Sequence, residues 1–147
     1  IYQAHSCIIE KAPSYRSLLL EVKYSNNINS SYYGSLSTSS PTFSRPFAVR
    51  ENYYYRAITI LVSATGYYRF ISDSSIDTYG YFYNKSFYAW SPELNLLAYD
   101  DDGAGRGQFS VNVSLQRYTE YILVVTTYRN KTFGTFIIIG TGPGTVS

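Results

Sequence analysis

Short runs of β-branched and aromatic residues, bounded by Gly, Ser, Asn or Asp, fill this chain from position 53 onward and leave little room for a helix. β-Branched and aromatic side chains suit a pleated, half-buried surface, while Gly, Ser, Asn and Asp turn the backbone. The pattern predicts strands over 53–62, 66–72, 78–83, 94–99, 108–115, 120–128 and 134–139. Only 14–24 has the spacing of a short helix, and its end, 18–24, reads equally well as a strand. Seven or more short strands so spaced predict an all-β domain, a β-sandwich of jelly-roll or immunoglobulin-like type. A chain of 147 residues is enough for one such domain and can bury a core without disulfides.

Alternation is cleanest over 109–115, where period 2 puts Phe109, Val111, Val113 and Leu115 on one face and Ser110, Asn112 and Ser114 on the other. In contrast, 121–125 and 136–139 are apolar on both faces. A strand of that kind needs a second cover, and the expected one is the chain's own N-terminal segment or another molecule. Segment 34–46 is rich in Ser, Thr and Pro and reads as a surface loop. It divides an extended N-terminal arm, 1–33, from a sandwich domain, 47–147.

Composition excludes more than it suggests. The chain has one His, one Cys and no Met, which removes most nucleophilic and metal–imidazole chemistry. His5 and Cys7 would share a strand face, but no orienting third group or oxyanion hole is legible beside them. Asp73, Asp77, Glu93 and Asp100–Asp102 are the only acid–base candidates, and nothing fixes their separation. A non-enzyme is expected. Twelve basic residues are scattered over a net charge of +2, so no nucleic-acid partner is expected. No apolar run reaches the length of a membrane span. Ile1 stands first where Met would start a translated chain, which is expected of an exported protein whose signal has been removed.

Three features carry candidate chemistry. Four Asn-x-Ser/Thr sequons occur, at Asn29, Asn84, Asn112 and Asn130, and predict N-linked glycans on a secreted chain. Asn112 is the sharpest case, because alternation turns it away from the core. The run Asp100-Asp101-Asp102-Gly103, with Asp77 from another loop, is a candidate Ca²⁺ site, since this hard cation collects carboxylate and carbonyl oxygens. Its bland counterpart is a turn whose carboxylates accept backbone N–H groups. Finally, 18 Tyr exceed what one core needs, so aromatic faces are expected to meet sugars or other chains.

The runs Thr65-Gly66-Tyr67-Tyr68-Arg69-Phe70, Ile76-Asp77-Thr78-Tyr79-Gly80-Tyr81-Phe82, Asp100-Asp101-Asp102-Gly103 and Tyr121-Ile122-Leu123-Val124-Val125 occur in that order. With them the chain resembles a bacterial pre-peptidase C-terminal (PPC) domain. Ser40-Pro41-Thr42-Phe43-Ser44-Arg45-Pro46 and Val124-Val125-Thr126-Thr127-Tyr128 resemble still more the tandem secreted domains in predicted proteins of microscopic aquatic animals. The resemblance implies a jelly-roll-like sandwich with a non-catalytic role in secretion, adhesion or matrix binding. Ca²⁺-binding relatives, such as the collagen-binding modules of bacterial collagenases, add weight to Asp100–Asp102, although their N-terminal acidic ligands have no counterpart here.

The expectation is therefore an extracellular glycosylated structural protein that assembles with copies of itself into a fibre or surface layer. The arm would add as a strand to a neighbour's open sheet edge, through Ile8, Ile9, Leu18, Leu19, Leu20 and Val22. The alternative is a module that binds polysaccharide or a matrix protein.

Overall fold

Burial with period 2 sorts the long strands into two sheets that face each other across a common core. The computed structural model describes residues 26–147, and no helix occurs among them. The strands are β1 (Ile28–Leu36), β2 (Thr42–Phe43), β3 (Tyr53–Tyr54), β4 (Arg56–Ile60), β5 (Gly66–Ser74), β6 (Thr78–Asn84), β7 (Leu96–Asp100), β8 (Ser110–Leu115), β9 (Tyr121–Thr127) and β10 (Gly134–Gly142). No helix among the described residues is long and apolar enough to cross a membrane.

The pairing is nested. β6 pairs with β7, β5 with β8, β4 with β9 and β1 with β10, all antiparallel. Two further ladders, β10–β5 and β9–β6, join these hairpins into the sheets β1-β10-β5-β8 and β4-β9-β6-β7. A long hairpin doubled about the β6–β7 turn and wrapped in this way is a jelly roll. This decides between the two sandwich types expected.

The inner faces meet in a core that includes Phe70, Phe82, Phe109, Leu123, Val125 and Ile138. Strand β8 keeps its expected faces, with Val111, Val113 and Leu115 buried and Asn112 and Ser114 exposed.

Four expectations need correction. Strand β1 spans Ile28–Leu36, so it runs through the boundary drawn at 33 and takes in the start of the supposed loop 34–46. Its Ser and Gly residues hid a strand whose inward positions include Tyr32 and Leu36. The strand expected over 53–62 breaks at Tyr55, so β3 pairs with β2 while β4 joins a main sheet. Among the described residues, the second face of β9 is covered by the β2–β3 hairpin and not by residues 26–33. Phe43 and Tyr53, from the β2–β3 hairpin, pack with Tyr81, Tyr83 and Val124 in a second apolar cluster, and Phe87 and Leu96 close its rim. Strand β10 is less apolar in its surroundings than its sequence suggests: Ile137 and Ile139 are only half-buried on the outer face of their sheet.

Candidate functional site

The two ends of each sheet bring edge strands together on opposite sides of the sandwich, β1 with β4 and β8 with β7. Between β1 and β4 lies a groove of about 320 Å³ that reaches into the core, with Ile58, Ile60, Phe70 and Ile138 among its walls. Both flanking strands have a free edge among the described residues, since β1 pairs only with β10 and β4 only with β9. Unpaired edges of this kind invite another strand. One end of the groove is already occupied by the chain. Leu61 N–H donates to the Ser147 carbonyl (2.8 Å), Ser147 N–H returns the bond (2.9 Å), and Ser63 N–H donates to Thr145 (3.0 Å). Residues 145–147 thus lie antiparallel to 61–63 and point along the unpaired part of β4.

The expected assembly residues Ile8, Ile9, Leu18, Leu19, Leu20 and Val22 lie outside the described residues.

The acidic loop divides the carboxylates that the sequence grouped. Asp77, Asp101 and Asp102 each offer an oxygen within 4.8 Å of the others. Asp100 does not join them. Its Oδ2 accepts the N–H groups of Gly103 (2.7 Å) and Ser110 (2.8 Å), tying the turn to the start of β8. It therefore serves the turn role rather than the ligand role. Asp73 stands apart, exposed on β5. Gly107, at φ +70°, lets the loop close on Asp77, where an added Cβ would lie 3.2 Å from the carboxyl carbon.

The electrostatics of the cluster are unfavourable as it stands. Burial first, then the charges of Asp102 and Asp77, push the Asp101 carboxyl up to about 6. Burial and Asp102 raise Asp77 as well. The Asp101 Oδ1 atom is buried without a hydrogen-bond partner. Hard oxygen donors, mutual repulsion and an orphaned carboxylate oxygen fit a divalent cation such as Ca²⁺. Nearby Arg45 opposes the shift in both carboxyls and competes for the role of counter-ion.

Arg45 is a residue that sequence reasoning passed over. It is only 9% exposed, donates Nη1–H to the Thr127 carbonyl (3.0 Å), and lies over the rings of Tyr53 (4.2 Å) and Tyr79 (4.7 Å). A guanidinium between aromatic faces gains cation–π attraction that offsets part of its desolvation. The signal was present: Phe43 and Arg45 alternate with Thr42 and Ser44 inside a polar stretch.

All four sequon asparagines lie among the described residues. Asn29, Asn84 and Asn112 are exposed, and Asn130 is half-buried. Asn29 and Asn112 fall in one transverse row, through Asn29↔Thr141, Thr141↔Arg69 and Arg69↔Asn112. They stand on the same face of one sheet at its two edges.

No protein-family model matches this chain, and comparison with curated proteins finds no match.

Proposed function

We propose that this chain is an extracellular, glycosylated structural protein that polymerises by strand addition. The observation that carries the reading is the apolar groove between β1 and β4, flanked by two backbone edges that are unpaired among the described residues. Its occupant is the N-terminal segment of a second copy. In 18–24, Leu18, Leu20, Val22 and Tyr24 alternate with Leu19, Glu21 and Lys23, a strand with one apolar face that would lie on Ile58 and Ile60. Ile8 and Ile9 supply a second apolar stretch upstream. An incoming strand would lie along β4 at Arg56–Ile60, with backbone hydrogen bonds giving affinity and side-chain alternation giving register. A contact in which one copy's arm fills the next copy's groove does not close on itself, so it propagates as a filament.

The carboxylates Asp77, Asp101 and Asp102 have in this reading a structural task, holding Ca²⁺ that secures the loop before β8. No acid–base role is assigned to them. N-linked glycans at Asn29, Asn84, Asn112 and Asn130 would supply the solubility that a chain with only 15% charged residues lacks.

The test compares full-length chains by electron microscopy and sizing over a range of concentrations. Wild type is expected to form filaments, whereas Leu18→Asp/Leu20→Asp and a chain lacking 1–24 should stay monomeric with a cooperative melt. Filaments from either variant would show that the arm is not the connector. Concentration-independent monomers of wild type would place the arm in its own groove.

A second reading, a module that binds polysaccharide or matrix, is favoured by one surface. Trp90 is 80% exposed and Phe47 73% exposed, the latter at φ +60°, and both rim a depression that also holds Arg50 and Glu93. Exposed rings beside charged side chains suit the apolar face and hydroxyls of a sugar. Trp90 is the only Trp, so quenching of its fluorescence by soluble oligosaccharides reads this surface directly.

A further inference from the structure

The outer face of the β1-β10-β5-β8 sheet carries an exposed aromatic next to a sequon. Tyr67 is 77% exposed on β5, and Asn112 is exposed on β8. In the β5–β8 register Tyr67 lies opposite Ser114 and Arg69 opposite Asn112, so Tyr67 and Asn112 are diagonal neighbours on one face. Diagonal pairs in antiparallel sheets lie about 7–8 Å apart, within reach of long or aromatic side chains. The same diagonal sense is already used beside them: Arg69 Nε–H donates to Ser110 Oγ at 2.9 Å, two residues before its direct partner. Tyr67, Arg69, Ile71, Asn112, Thr141 and Asn27 are among the residues lining a cavity of about 300 Å³.

At the far edge of the row, Thr141 Oγ1–H donates to Asn29 Oδ1 at 2.7 Å. N-glycosylation uses Nδ2 and leaves Oδ1 as an acceptor, so this bond is compatible with the modification and orients the amide.

We propose that the first N-acetylhexosamine of a glycan on Asn112 is seated on the Tyr67 ring, its polar edge over Arg69 and Thr141. This deepens the glycosylation reading above and rests on it. An aromatic ring offers a flat apolar face to the axial C–H groups of a pyranose, while Arg69 offers hydrogen-bond donors to its acetamido and hydroxyl oxygens and Thr141 Oγ1, whose proton goes to Asn29, can accept from a sugar hydroxyl. The glycan would then lie across the row toward Asn29 and cover the half-buried Ile71 and Ile139 that the bare sheet leaves to water. Sugar and protein would stabilise each other, and this sheet face would be closed to stacking between copies.

A two-by-two cycle on the full, natively glycosylated chain tests this. Peptide mass first establishes whether Asn112 is modified. Melting temperatures are then compared for wild type, Tyr67→Ala, Asn112→Gln and the double variant, all as monomers. A stacking contact of ordinary size in a domain of this length predicts that Tyr67→Ala costs about 3 °C more when the Asn112 glycan is present than when it is absent. Tyr67→Phe should keep the coupling, because the ring rather than the hydroxyl carries it. Trimming to the first sugar should also keep it. Equal losses in both backgrounds, with Asn112 occupied, would overturn the seat and leave the glycosylation reading standing. An unmodified Asn112 overturns both.

Discussion

The two sides of the sandwich are built from equivalent pairs of edge strands, yet they are finished differently. At the β7–β8 side, Phe109 is fully buried, and Asp100 binds two backbone N–H groups across the turn. Ser72 adds a third tie, its Oγ accepting the Phe109 N–H at 3.0 Å while also bonded to Thr78 Oγ1 at 2.6 Å. At the β1–β4 side no such plug occurs among the described residues. Short residues such as Ser30 and Ala57 border the groove, and Ile58, Phe70 and Ile138 lie beneath it. A jelly roll therefore need not treat its two flanks alike: buried polar ties and one large ring close one, and among the described residues small side chains border a groove at the other.

Four outcomes break or sharpen this contrast, taken from the largest effect. Phe109→Ala should destabilise the chain by about 4 kcal/mol in urea unfolding, the cost of removing a fully enclosed ring. A loss near that of a surface change would mean that the β7–β8 side is not sealed by this residue. Ile58→Ala should cost about 2 kcal/mol in the monomer, the low end for such truncations, because its neighbourhood already opens to the groove. In assembled filaments the same variant should cost more, since the arm would then cover it. An equal loss in both states would argue against arm insertion there.

Asp100→Ala should cost about 2 kcal/mol, as two amide groups lose a charged acceptor. Native-state hydrogen exchange should show faster exchange at the Gly103 and Ser110 amides, while amides of β1 remain unchanged. Unchanged protection at both positions would remove Asp100 from the closure.

The smallest effect is a pH slope. The Asp101 carboxyl stands at about 6 in the folded chain against an ordinary 3.8, so between those values the folded state holds more protons than the unfolded one. Stability in chelator should therefore fall as pH rises from about 4 to about 6 and level off above. The Asp101→Asn variant should flatten the slope. Added Ca²⁺ should raise the melting temperature at pH 7 by favouring the ionised cluster, and an unchanged melt would leave the loop to hydrogen bonding alone.

Much of the fold was legible because local physics wrote it. β8 could be assigned face by face from 109–115, since one side of that strand meets core and the other meets water. The doubled apolarity of 121–125 correctly demanded a second cover for β9, but its source could not be read. Phe43, Arg45 and Tyr53 are few, and they sit in a stretch whose Ser, Thr and Pro content is that of a loop. β1 was missed for a related reason. A sequence of Ser, Gly and Tyr has weak intrinsic preference, and it becomes a strand because β10 offers it a complete ladder from Ile28↔Gly142 to Leu36↔Gly134.

The candidate sites divide along the same line. Sequon positions are strictly local, so Asn29, Asn84, Asn112 and Asn130 could be named without a fold. That Asn29 and Asn112 share a row, with Tyr67 beside one of them, depends on the registers of three ladders. Asp77 and Asp101–Asp102 lie more than twenty positions apart, and the loops flanking β6–β7 and β8 bring them together while turning Asp100 toward backbone amides.

By itself, then, the sequence determined the all-β character, the faces of its alternating strands, the scarcity of His and Cys and the positions of four sequons. These follow from residue type and period 2, which act within a few positions. The tertiary structure alone decided the jelly-roll pairing, the aromatic cover around Arg45, the membership of the acidic cluster and the groove between β1 and β4. Each of these is a contact between segments far apart in the chain, whose meeting depends on burying the whole core at once.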